Sequence, residues 1–161
     1  SLPRFWEAQE ACLKAIPNSG MVVVTDITGD VNDIHPRNKR DVGHRLARWA
    51  LAKNYDNSKI VYSGPVYQSM KTAGDKVTLR FDHTGSGLTS LDGKALSQFK
   101  IAGKDKKFVD ATAKVVGDTV VVQAEGVKDP AAVRFAWHET AIGNLGNKDG
   151  LPAPPFRTDK W

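Results

Sequence analysis

The run "MVVVTDITGDVNDIHPRNKRDVGHRLARWALAKNY", residues 21–55, sets the terms for the fold. Its first seven residues, Met21 to Ile27, begin with four apolar side chains in succession, three of them Val. β-Branched runs of that length fit a strand buried on both faces, as in a parallel sheet covered by helices. The loop "TGDVNDIH" follows. From Pro36 to about Tyr55, Val42, Leu46, Trp49 and Ala50 recur at i, i+4, i+7 and i+8, with Arg and Lys assigned to the other face, so a helix is expected. Upstream, "PRFWEAQEACLKAIPNSG" reads as another helix. Pro3 suits its first turn, Phe5, Gln9, Cys12 and Ile16 form a stripe, and Pro17 to Gly20 stop it.

One strand with two helices cannot cover both faces of a sheet. The first part, residues 1–56, is therefore expected to be a fragment of a larger sheet. The chain also starts at Ser1, which fits a segment of something longer.

Beyond "NYDNSK" the rhythm changes. "DKVTLRFDH" alternates Val77, Leu79 and Phe81 with polar residues, the period of a strand with one wet face. Asp92-Gly93 and Gly117-Asp118 are turn signals, and "AAVRFAW" reads as a further strand. Short strands at regular spacing predict an antiparallel β-sandwich over residues 57–161, ending in a tail with Pro152, Pro154 and Pro155 that can continue neither a helix nor a central strand. The expected fold class is thus α/β followed by all-β.

Composition narrows the function. The 23 basic and 18 acidic side chains are interleaved, which describes a solvated surface better than a nucleic-acid stripe. No apolar run reaches the roughly 18 residues of a membrane span. Cys12 is the lone cysteine and is expected to be buried in its helix, with no disulfide to form. His35, His44, His83 and His138 have no companions at metal-ligand spacing, so neither a metal nor another cofactor is expected.

The chemistry points to the loop. Ligands collect at the carboxyl ends of strands in open α/β sheets, and the loop after Ile27 lies at such an end. An imidazole oriented by a carboxylate can accept a proton from a hydroxyl, which is the base half of a Ser-His-Asp arrangement. His35 is the candidate base. Asp33, Asp30 and Asp26 are the carboxylates within sequence reach, with Asp26 also readable as a strand-end residue bonding nearby amides. Ser86, in "HTGSGLTS", is a poor nucleophile candidate, because Thr84 stands where a nucleophile elbow needs Gly and no helix follows. Ser63 and Ser69 have no supporting pattern. His83 beside that turn could reach a sugar or simply face water; His44 is a polar-face residue of its helix.

"DIHPRNK" followed by "GHRLARWALA" resembles the final block of the catalytic domain of sialate O-acetylesterases, in the SGNH (GDSL-like) hydrolase superfamily. "YSGPVYQSM", "FDHTGSGL" and "NKDGLPAPPFRTDKW" are similar to that family's β-rich C-terminal part. The resemblance implies that residues 1–56 are the C-terminal piece of an SGNH-type α/β/α domain, and it implies hydrolysis of acetyl esters on sialic acid or a related sugar, with His35 as general base and Asp33 as its partner. Many such enzymes space the pair as D-x-x-H, a position held here by Asn32. The resemblance also implies export to the periplasm or beyond, and a nucleophilic Ser in a preceding N-terminal segment, absent from these 161 residues. The alternative is a non-catalytic β-sandwich that binds carbohydrate or protein through Tyr62, Tyr67 or Trp137.

Overall fold

The computed structural model of the protein describes residues 1–33 and 35–161. Two helices precede a set of antiparallel sheets, and the chain is mostly β.

Helix α1 spans Leu2–Ala15, with Pro3 in its first turn and an extended Ile16 ending it. The apolar stripe is where the outcome departs from expectation. Phe5 and Ile16 are 59% and 54% exposed, and Cys12 is exposed, not buried. Pro3 is the buried residue of this helix. Its attachment is largely polar: Glu7 accepts two bonds from Arg157, at 3.0 and 2.9 Å.

Met21 to Ile27 form no strand. Residues 21–28 are half-buried, and none of them pairs in a ladder with another described residue. The reason is geometric. An apolar run becomes a strand only when a neighbouring backbone takes its N–H and C=O groups in a ladder, and among the described residues none does so here.

Helix α2, Lys39–Lys53, begins three residues after Pro36. Asn38 decides the start, since its Oδ1 accepts from the Asp41 N–H at 3.1 Å, and Asp41 places a negative charge in the first turn. The inward face is also rotated from the expected one. Arg45 is buried at 8% exposure whereas Leu46 is 52% exposed.

The β part has ten strands: β1 Val66–Ala73, β2 Lys76–Asp82, β3 Leu88–Ser90, β4 Phe99–Gly103, β5 Val109–Asp110, β6 Thr112–Val116, β7 Thr119–Gln123, β8 Pro130–Phe135, β9 Leu145–Asn147 and β10 Phe156–Arg157. One four-stranded sheet has the order β1-β2-β7-β6 and the other β10-β8-β4-β5, while β3 and β9 form a ribbon. Two hairpins of the first sheet turn on the same dipeptide. Gly74-Asp75 joins β1 to β2 and Gly117-Asp118 joins β6 to β7, each with its Gly at positive φ, 60° and 58°. Only Gly takes that conformation without strain, and the two-residue loop fixes the register.

Inward residues of both sheets meet in one core. Val77, Leu79, Val120 and Val122 from β2 and β7 face Ile101 and Val133 from β4 and β8, all fully buried. Full burial of such a side chain stabilises the fold by about 1.5–3 kcal/mol. Phe156 joins the core from the tail, stacked on Tyr67 at 5.0 Å and within 5.7 Å of the Phe81 and Phe135 rings.

The tail is therefore more than a surface strap. Leu151 to Phe156 are buried, and the prolines confine β10 to a sheet edge, where a missing N–H costs no ladder bond. Asn147, fully buried, anchors it. Its Nδ2 donates to the Ser63 and His83 carbonyls at 3.0 and 3.4 Å, and its Oδ1 accepts from the Leu151 N–H at 3.0 Å. Asp159 accepts two bonds from Arg134, at 2.9 and 2.7 Å, so its buried charge is paired.

Candidate active site

The loop from Thr28 to Asn38 joins the unpaired apolar run to α2 and holds the candidate base. Each acidic residue in it braces backbone. Asp30 Oδ1 accepts from the Asn32 N–H at 2.9 Å, and Asp33 Oδ1 accepts from the His35 N–H at 2.8 Å. Both are local turns in which a short carboxylate bonds the amide two residues on.

The Asp33 carboxylate and the His35 imidazole face each other loosely. Nδ1 lies 3.9 Å from Oδ1, beyond hydrogen-bonding distance. The His35 side chain is 83% exposed and that of Asp33 36%. Catalytic contacts of this kind are often long in a ligand-free state and tighten when the site is filled.

Asp26 has a different task. Both of its oxygens accept from Arg45, from Nη1 at 2.7 Å and from Nη2 at 2.6 Å, and Nη1 also reaches the Val23 carbonyl at 2.5 Å. A carboxylate committed to a bidentate guanidinium is not the partner of an imidazole. Asp30 bonds Asn32, and among the described residues Asp33 is the acid within 3.9 Å of a His35 ring nitrogen. Arg45 is the residue that a sequence reading misses. A signal existed: it stands three residues after Val42 and four before Trp49, inside the expected apolar stripe.

The serines are occupied elsewhere. Ser86 sits in the turn between β2 and β3, where its N–H and Oγ both bond Asp149, at 2.8 and 3.1 Å. Ser63 Oγ donates to the Gly64 carbonyl at 3.0 Å. Ser69 lies at a bulge of β1. Among the described residues, no serine hydroxyl is hydrogen bonded to an imidazole. His83 is exposed, with its ring edge-on to Tyr62 at 5.5 Å; His44 is exposed on α2; His138 bonds Thr140 at 2.9 Å.

The aromatics of the binding-module alternative are also engaged. Tyr67 packs on Phe156, and its burial pushes the phenol pKa up. Tyr62 is wedged between Trp49 at 4.7 Å and His83, with Lys53 above its ring, and Trp137 has Arg157 at 5.3 Å.

The chain matches no family model and no curated protein. It does match a crystal structure of a novel carbohydrate acetylesterase from Xanthomonas citri, with 46% sequence identity and a TM-score of 0.90. The similarity covers 96% of this chain and 35% of that one. This chain thus spans about a third of the length of the esterase it is similar to.

Proposed function

We propose that this chain is the histidine-bearing C-terminal part of a carbohydrate acetylesterase of the SGNH type. It acts on O-acetylated sialic acid or a related sugar. The observation that carries the reading is the 46% identity, over 96% of this chain, to a carbohydrate acetylesterase. The 35% coverage of that enzyme and the unpaired run at residues 21–27 support a further polypeptide that precedes Ser1 and lays strands beside the run. Residues 1–56 then complete an α/β/α domain, and residues 57–161 form its β-sandwich companion.

In this reading the nucleophile is a Ser of the preceding segment. Its Oγ attacks the acetyl carbonyl carbon while His35 takes the hydroxyl proton. The sugar oxygen leaves with that proton, and an acetyl-serine ester remains. Water then attacks this ester, giving its proton to His35, and acetate departs as the serine recovers a proton. Asp33 orients the imidazole once the 3.9 Å gap closes. None of these steps needs a metal or cofactor. The enzyme is proposed to work in the periplasm or outside the cell, as the family resemblance implies.

Acetate release by the full-length protein tests the substrate class. Turnover of O-acetylated sialic acid at least tenfold faster than of acetylated neutral sugars is the expected result. A reversed preference would move the substrate to neutral sugars, and no acetate from any of them would remove the esterase reading.

A further inference from the structure

Several described residues of the His35 loop lie open to solvent. Val31 is 40% exposed, and Gly29, Asp30, Asn32 and Arg37 are exposed with it. The turns made by Asp30 and Asp33 are local, so they shape the loop without attaching it to anything. Attachment occurs at the base, where Asp26 leads in and α2 leads out. Arg45 closes that base with its two bonds to Asp26 and a third to the Val23 carbonyl. The two side chains are 9% and 16% exposed. The partners stand 19 residues apart, and His35 lies between them.

A planar guanidinium that meets a carboxylate through two parallel bonds fixes angle as well as distance, which a lysine ammonium does not. A pair this shielded from water is also held tightly, because separating it leaves an uncompensated charge. Neither group is needed by the acyl-transfer chemistry itself. We propose that Arg45 and Asp26 are positioning residues, a clamp across the base of the loop that sets where the His35 imidazole stands during the reaction. This rests on the esterase reading of His35. Loosening the clamp displaces the imidazole, and a shift of about 1 Å in a catalytic group costs about a hundredfold in rate.

The experiment uses the full-length protein and a chromogenic acetyl ester, with Arg45→Lys, Asp26→Asn, His35→Ala and the double variant Arg45→Lys/His35→Ala. Rates are divided by the folded fraction from circular dichroism, at a temperature well below each midpoint. Arg45→Lys keeps a cation in place and disturbs the fold least, so the decision rests on it. Expected is a fall in kcat of about ten- to a hundredfold with KM within about threefold of the parent. The double variant should be no slower than His35→Ala, because a residue acting through the imidazole has nothing left to act on. Unchanged kcat per folded molecule in Arg45→Lys, with His35→Ala inactive, would overturn the clamp and leave the esterase reading standing. A double variant clearly slower than His35→Ala would also overturn it. Normal turnover in His35→Ala would sink the esterase reading and the clamp together.

Discussion

Replacing His35 with Ala in the full-length protein is expected to lower kcat for an acetyl ester by about three to six orders of magnitude, with KM changed little. The size follows from what the imidazole does. In the proposed mechanism, its removal leaves no group to accept the serine proton as the carbonyl is attacked and none to return a proton to the departing sugar oxygen. Substrate binding depends on other contacts, so the loss falls on kcat. Exposure of the ring makes the substitution a clean one: a side chain 83% exposed can be truncated without opening a cavity. The measurement is the initial rate of acetate release, alongside a melting curve to show that the fold is intact. Turnover near that of the parent would exclude His35 as the base.

The second large effect concerns the 161 residues by themselves. Assayed alone, they should hydrolyse acetyl esters no faster than buffer, and turnover should return when the preceding polypeptide is present in the same chain. The serines explain why. Ser86 spends its hydroxyl on Asp149, Ser63 on a backbone carbonyl, and Ser69 sits on a bulged edge strand. Enzymes of this general kind accelerate their reactions by at least about 10⁶-fold, so the contrast is easily read in a chromogenic assay. Robust turnover by the isolated chain would contradict a nucleophile supplied from outside it.

Much of the β part was legible in the sequence because its signals are local. Val77, Leu79 and Phe81 alternate with polar residues, and Gly117-Asp118 marks a turn that only a residue tolerant of positive φ can make. Two sheets and a shared core follow from period-two patterns of this sort. The tail was less legible, since three prolines say what it cannot be without saying that Phe156 stacks on Tyr67 in the core.

The first third resisted for a different reason. Val22, Val23 and Val24 have strand chemistry, but a strand is a property of two chains of backbone, and the second is not among these residues. Phe5 and Ile16 are likewise bare on α1, and Cys12 faces outward. Helical periodicity also misassigned α2, counting Leu46 as inward when Arg45 takes that place. The spacing of Arg45 from Val42 and Trp49 was a signal, but a rule that sends charges to solvent overrides it, and the partner lies 19 residues upstream. In the site, His35 was legible as a candidate from its place after an apolar run and before a helix, whereas the bonding of Asp26 to Arg45 and the local turns of Asp30 and Asp33 were not.

Labelling the nucleophile is the most direct test of an imidazole at position 35 serving a hydroxyl from elsewhere in the polypeptide. The full-length protein is treated with a fluorophosphonate, which phosphonylates an activated serine, and the adduct is mapped by mass spectrometry with and without His35→Ala. One modified serine, lying before Ser1 and no longer labelled in the His35→Ala protein, is the predicted result. An adduct on Ser86 or any other serine within residues 1–161, or equal labelling after His35 is removed, would contradict it.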